Sequence, residues 1–350
     1  MPEPVIRRRL PAEWEPQCAV QLTFPHADTD WVDTLEEVLP CFIQIAETIS
    51  RYQKVLIVCR DIPATRQLLR NAVQEHLLFA ECDSNDTWAR DHGGITVVEN
   101  GRPLILDFVF NGWGLKFPAD KDNLITQNLR RKGIFNAPVE HGGIVLEGGA
   151  IESDGQGTLL TTAECLLSPN RNPHLSQTLI EKHLKESFGL DRVLWLHHGF
   201  LAGDDTDSHI DTLARFCAPD TIAYVKCTNV SDEHYGELQK MEAELQTFRT
   251  HDGLPYRLAP LPWPAPCFDP EGQRLPATYA NFLIINGAVL MPVYGVPQDG
   301  DALQIIKNLF PNRDVIGIDC RSLILQHGSL HCVTMQYPTD AINPVKPTFQ

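Results

Sequence analysis

Cys332 stands late in the chain, in Gly328-Ser329-Leu330-His331-Cys332, and three polar clusters lie far upstream of it. They are Asn85-Asp86-Thr87-Trp88-Ala89-Arg90-Asp91, Glu147-Gly148-Gly149 and His209-Ile210-Asp211. A thiolate is a strong nucleophile, an imidazole moves protons, and carboxylates hold a flat cation by its N–H edges. Together these types suit covalent attack on a cationic carbon. Each cluster alone has a plainer reading: a buried thiol, a core tryptophan beside an Asp91–Arg90 pair, a solvated acidic turn. It is their joint occurrence that favours chemistry.

The spacing within each cluster assigns tasks. Cys332 follows a turn signal and precedes the strand-like Val333-Thr334-Met335-Gln336, so its thiol is expected at a turn-to-strand boundary. His331 is its neighbour, and adjacent side chains of a strand point to opposite faces, which removes His331 as the base. His209 and Asp211 are two apart and share a face if extended. The run Gly203-Asp204-Asp205-Thr206-Asp207-Ser208 precedes them. Nearby acids raise a histidine's pKa, so His209 is predicted to be charged near neutral pH. Asp204, Asp205, Asp207 and His209 are also metal-ligand types, but their spacing is not that of a calcium loop. Trp88 and Asp91 could stack on and pair with one planar cation. Glu147 ends a strand, and a buried carboxylate there needs a partner, either a histidine or a cationic substrate.

Alternating helices and strands must position these residues. Strands are predicted at 54–60, 95–99, 104–110, 144–146, 158–162, 192–197, 222–227, 282–285, 288–293 and 315–319. Helices are predicted at 31–52, 64–79, 122–131, 173–188, 232–248 and 301–309, with Asn172 capping the fourth. The fold class is mixed α/β, and strand pairs followed by a helix recur about five times. The segment 254–276 holds seven prolines and Trp263; it reads as a rigid surface loop or as a rim beside the pocket.

Composition narrows the partners. The chain has 350 residues, with 29 Lys+Arg against 45 Asp+Glu and a formal net charge of -16. Such a surface disfavours nucleic acid and anionic membranes and attracts small cations. Ten cysteines include no Cys-x-x-Cys and no zinc-ligand spacing. Free buried thiols suit a reducing cytosol, and the first residues lack the apolar stretch of a signal peptide, so a cytoplasmic location is expected. The uncharged stretch 281–298 is broken by Asn286, Gly287, Pro292 and Gly295 and reads as two strands and a turn.

Taken together, the clusters resemble the agmatine deiminase family, among the guanidino-modifying enzymes of the pentein superfamily and related to bacterial-type peptidylarginine deiminase. The likeness spans nearly the whole chain. Its carriers are Ala12-Glu13-Trp14-Glu15-Pro16-Gln17, Asp86 to Asp91, Leu146-Glu147-Gly148-Gly149-Ala150-Ile151 with Asp154-Gly155, Asn170-Arg171-Asn172-Pro173, His209-Ile210-Asp211 and His331-Cys332. The resemblance implies a single catalytic domain over 1–350, a pentein-type five-bladed α/β propeller with pseudo-fivefold symmetry and a central site. It implies Cys332 as nucleophile, His209 as general acid/base, Asp91 and Asp211 as guanidinium-holding carboxylates, and Glu147 as support for His209. Trp88 and Asp86 would line the substrate pocket, Asp205 would meet the far end of agmatine, and Asn281 resembles a wider pocket position. One departure is Met335-Gln336, where many members carry consecutive glutamines. The implied reaction is agmatine plus water to N-carbamoylputrescine and ammonia through an amidino-cysteine, with no metal or organic cofactor. Arg90 is the one nearby cation that could receive an arginine carboxylate. Peptidyl-arginine or free arginine deimination, an amide hydrolase or acyl transferase using Cys, His and Asp, and a non-enzymatic pentein binding protein are the rival readings. A homo-oligomer is left open.

Overall fold

The computed structural model describes residues 7–344. One small motif recurs: an antiparallel strand pair, a helix, and a third strand that returns parallel to the second. The pair Ile95–Glu99 and Arg102–Val109 is followed by the helix Ile125–Arg131 and the strand Val139–Val145. The same order runs through Ile151–Ser153, Thr158–Thr162, helix Gln177–Phe188 and Arg192–Leu196. It repeats through Ala214–Ala218, Thr221–Lys226, helix Tyr235–Thr247 and Arg257–Pro262, and again through Leu283–Ile285, Ala288–Val293, helix Asp299–Leu309 and Asp314–Asp319.

The fifth sheet joins the two ends of the chain. Thr334–Pro338 lies antiparallel to Gln17–Thr23, which pairs in parallel with Lys54–Cys59, and that strand with Leu77–Glu81. Cys332, two residues before this sheet's last strand, is thereby tied to the strand Gln17–Thr23 near the start of the chain. The described residues thus form five separate sheets of three or four strands. Tight turns close the pairs: Asn100 and Gly101 both adopt positive φ, as a two-residue hairpin loop of matching twist requires.

Most predicted strands are present within a residue or two. The predicted helix 64–79 is wrong in its second half. Its helix covers only Ile62–Leu68, and Leu77–Glu81 is a strand, because its apolar run is buried beside the parallel strand Lys54–Cys59. The helix predicted from 173 begins at Gln177, and Ser176 rather than Asn172 caps it. Asn172 instead braces Val145, accepting from its N–H and donating to its carbonyl. The proline-rich segment contains the strand Arg257–Pro262; its later part borders a groove formed with Cys41, Tyr294 and Arg321, and its end, Arg274 to Pro276, packs on Gly203 before the acidic run.

The interior between the sheets is charged as well as apolar. Arg215, fully buried, donates to Glu152 at 2.8 Å, to Glu13 at 2.9 Å and to the carbonyl of Phe282 at 2.6 Å. Glu13 also accepts from the Ile284 N–H at 2.6 Å. The second, third and fourth units and the segment before Gln17–Thr23 are thus cross-linked by one guanidinium and two carboxylates. Removing the cation strands both acids in a low dielectric. Arg215→Met is expected to lower unfolding free energy by about 3–5 kcal/mol, read by urea denaturation. An unchanged midpoint would contradict this role.

Candidate active site

Three short segments with irregular backbone bring the expected groups together. Asp91 lies in the single helical turn Ala89–His92, Asp211 in the 3-10 turn Ile210–Thr212, and Gly149 in the turn Gly148–Ala150 that Glu147 precedes. Gly149 shows how close they are. A Cβ placed there would lie 2.5 Å from His209 Nδ1, 2.8 Å from Asp91 Oδ1 and 3.2 Å from Asp211 Oδ2. His209 Nδ1 is 3.6 Å from Asp91 Oδ1. Cys332 Sγ is 3.9 Å from Asp211 Oδ2, so the imidazole lies beside one carboxylate and the thiol beside the other.

Each carboxylate is held by part of its valence and leaves part free. Asp91 accepts from the Gly149 N–H at 3.0 Å and from Trp113 Nε1 at 2.9 Å. Asp211 Oδ2 lies 2.8 Å from His331 Nδ1, while its Oδ1 is buried without a partner among the described residues. Both ring nitrogens of His209 are likewise buried and unpartnered. Buried polar atoms are normally satisfied, and unsatisfied ones clustered in one place mark a site built for something else to bind.

The electrostatics follow from burial among acids. Burial, then Asp211 and Asp91, push the Cys332 thiol well above its ordinary pKa. Burial, then Asp211, raise the Asp91 carboxyl well above the usual range. For Asp211 burial also acts upward, but the hydrogen bond and charge of His331 outweigh it and leave the carboxyl lowered. His209 departs from the sequence reading. Burial lowers its pKa to about 3, overriding the upward pull of Asp211 and Asp207. Burial thus favours the neutral ring at pH 7, and the acidic loop before it is answered by Arg171 and Lys116. Arg171 Nη1 contacts Asp207 at 2.6 Å, and Lys116 Nζ contacts Asp207 at 2.7 Å and the Asp205 carbonyl at 2.6 Å.

Beyond these groups a cavity of about 140 Å³ is lined by Asp30, Asp86, Trp88, Asp91, Trp113, Phe117, Asp205 and Cys332, among others. No lysine or arginine is among its described lining residues. Trp88 donates to Asp86 Oδ2 at 2.9 Å, and Asp86 Oδ1 is buried and unpartnered. Burial, with Asp30 adding to it, raises Asp86 to about 7. Asp205 stands at the open end, its side chain 41% exposed.

Three placements differ from the sequence reading. Arg90 does not face the cavity; its Nη2 lies 3.7 Å from Glu13 and its Nη1 meets Met335. Glu147 stands beside His209 but makes no hydrogen bond to it, because both its oxygens accept from Arg171 Nε at 2.9 and 3.0 Å. With Cys165 and His209 it forms a cluster whose ligand-type atoms lie within 4.8 Å of one another, but the Arg171 guanidinium on Glu147 opposes a metal ion there. Asn281 lies under the thiol, not along the cavity: its Nδ2 is 3.3 Å from Sγ, and its Oδ1 accepts from the His331 N–H at 2.8 Å. Two residues that sequence reasoning passed over matter here. Trp113 reaches Asp91 from a backbone with φ of 55°, and the flanking Gly112 and Gly114 were its only signal. Arg171 was visible only as a letter in Asn-Arg-Asn-Pro.

With this geometry in hand, relatives can be compared. The Porphyromonas-type peptidyl-arginine deiminase family matches residues 9–338. An agmatine deiminase of Stutzerimonas stutzeri is 34% identical, over 94% of this chain and 95% of its own. The chain belongs to the agmatine deiminase family. Solved relatives share its architecture. A Cys-to-Ser variant of the C. jejuni agmatine deiminase, with substrate bound, is 40% identical at a TM-score of 0.90 and covers 95% of this chain and 96% of that one. A Porphyromonas gingivalis protein, provisionally named an arginine deiminase, is 56% identical at 0.93 and covers 96% and 100%. Family membership fixes the class, a hydrolase of amidine C–N bonds, while the relatives' names differ in substrate.

Gly149 gives a direct test. A methyl group there must displace the imidazole or the carboxylates, so Gly149→Ala is expected to cut kcat about a hundredfold or more while the fold, read by circular dichroism, is kept. Near-normal turnover would show that the convergence at Gly149 is not needed.

Proposed function

We propose that this chain hydrolyses the guanidinium of agmatine to N-carbamoylputrescine and ammonia through a covalent amidino-cysteine on Cys332. One observation carries the reading: a buried thiol 3.9 Å from Asp211, with His209 beside Asp91, stands at the end of a cavity lined by aspartates, with His327 but no lysine or arginine among its described lining residues. A dication with a flat head and a distal ammonium fits that charge pattern at both ends. Arginine would bring a carboxylate among Asp30, Asp86 and Asp205, and Arg90 is turned away from it. Like charges of this kind are an effective device for rejecting the wrong substrate.

In the free site Cys332 is a thiol, His209 is neutral and Asp91 tends to keep a proton. A guanidinium entering between Asp91 and Asp211 supplies the missing positive charge, so ionisation of Cys332 becomes favourable. Neutral His209 takes the thiol proton, and sulfur attacks the guanidinium carbon, forming a tetrahedral centre. The protonated His209 returns its proton to one amino nitrogen, which leaves as ammonia with the C–N electron pair. The S-alkyl isothiouronium that remains is attacked by water as His209 removes a water proton. Collapse breaks the C–S bond with its electron pair going to sulfur, which takes back the proton from His209; the remaining O–H proton passes to solvent, and the urea departs. Asn281 steadies the thiol, and Trp88 holds Asp86 toward the substrate's far end.

On the same reading the five sheets act as blades of one catalytic domain, arranged as the pentein-type propeller around this site. The closing strand pair 334–338 with 17–23 supports that, since it joins the last unit to the first.

The test is ammonia release from agmatine, arginine and a blocked arginyl peptide supplied separately. Agmatine is expected to exceed arginine by about a hundredfold or more in kcat/KM, and Cys332→Ser to lose at least about a thousandfold. Release from the peptide alone, or an acyl rather than amidino adduct on Cys332, would overturn the proposal. A pH series adds a second check. Below about 7 Asp86 is protonated and cannot hold a cation, so agmatine should bind the Cys332→Ser variant about tenfold more tightly at pH 8 than at pH 6. Asp86→Asn should weaken binding at pH 8 and flatten the slope; an unchanged slope would exclude Asp86 from substrate binding.

A further inference from the structure

The residue set aside as a base, His331, bridges two buried carboxylates beneath the site. Cys332 borders the active cavity, while His331, one residue earlier, borders a separate cavity of about 60 Å³ together with Glu13, Arg90 and Glu152. The ring is buried, with its Nδ1 2.8 Å from Asp211 Oδ2 and its Nε2 2.7 Å from Glu13 Oε2. Its backbone N–H donates to Asn281, the residue that touches the thiol.

Hydrogen-bond counting constrains the ring. An ionised carboxylate only accepts, and a neutral imidazole has one N–H to give. Glu13 and Asp211 are both held below the usual carboxylate range, against burial: Glu13 chiefly by Arg215 and then His331, Asp211 by His331. Two such acceptors at hydrogen-bond distance need two N–H groups. Charge counting agrees. The linked groups are Asp211, Glu13 and Glu152 on one side and Arg90, Arg215 and His331 on the other. With Glu152 ionised, as it is above about pH 7 to which burial raises its carboxyl, the cluster is neutral when the ring is a cation. Burial and the guanidinium groups of Arg215 and Arg90 outweigh Glu13 and Asp211 and leave the ring's pKa lowered; the two short contacts to ionised acceptors oppose that direction and favour the cation.

We infer that His331 is a positioning residue, held as an imidazolium between Glu13 and Asp211, and that it fixes Asp211 with Oδ1 turned to the guanidinium. The inference rests on the deimination reading for its catalytic consequence, but not for the ring's protonation. Asp211 then stays ionised in a buried site where Asp91 does not. The two carboxylates differ because one has a cation behind it and the other has only Trp113 and an N–H of Gly149.

Ring-nitrogen NMR of the wild-type protein, with 15N-histidine, tests the charge directly. The His331 signals, assigned through loss in His331→Asn, are expected to report two protonated nitrogens from pH 6 to pH 9. If that variant fails to fold, perturbation by Glu13→Gln makes the assignment. A neutral ring at pH 7 would overturn the inference even if ammonia release from agmatine is normal. Glu13→Gln removes one of the two acids that hold the cation. Its kcat/KM should match wild type most closely at low pH and fall by about tenfold or more as pH rises toward 9, an alkaline loss absent from wild type. Parallel pH profiles would show that Glu13 acts through packing alone and would also count against the inference. If wild-type protein released no ammonia from any guanidine, the deimination reading would fail while the ring's charge stayed measurable.

Discussion

Two carboxylates crowd a thiol in this protein, and all three are buried. Taking one charge out of water is costly, and placing a second like charge beside it costs more. The molecule resolves this by leaving much of the site uncharged: Cys332 and Asp91 are pushed toward their protonated forms and His209 toward its neutral one. Asp211 is the exception. On the proposed reading the substrate is itself the missing counter-charge, which ties activation of the thiol to arrival of a guanidinium. A site of this design stays quiet toward neutral electrophiles.

The scaffold's task is to keep these side chains facing one another without collapse. Five small sheets deliver them on irregular turns, where backbone direction changes within a few residues. Behind the turns lies a layer of buried ion pairs, Glu13, Arg215, Glu152, Arg90 and His331 on one side and Glu147 with Arg171 on the other. Such pairs add little net stability, because desolvation offsets attraction. Their value is directional: each fixes the orientation of a group one step closer to the cavity. Arg171 links Glu147 to the acidic loop, and Lys116 ties that loop to the Trp113 segment that roofs Asp91.

Much of this was legible in the sequence, and the rest was hidden for physical reasons. Cys332, His209, Asp91 and Asp211 could be chosen because reactive types recur in short polar words. The strands were readable where Val, Ile and Leu ran unbroken. Leu77–Glu81 was misread because a short apolar run fits a helix face or a buried parallel strand equally well. Ala214–Ala218 escaped because Arg215 interrupts its apolar pattern, and only the fold supplies Glu13 and Glu152 to answer that charge. The protonation of His209 was read from its acidic sequence neighbours, whereas burial and the remote residues Arg171 and Lys116 set it. Nothing local in Gly112-Trp113-Gly114 told that the indole would reach Asp91.

The central claim is that Cys332 ionises only when a guanidinium is present. It is tested most directly by measuring the rate of alkylation at Cys332 against pH, read by mass spectrometry of its peptide, with and without a non-reacting guanidinium ligand small enough to leave sulfur accessible. The account predicts a thiol that stays unreactive through pH 8 in the free protein and gains reactivity at lower pH once the ligand binds. A reactive thiolate at pH 6 in the free protein would contradict it.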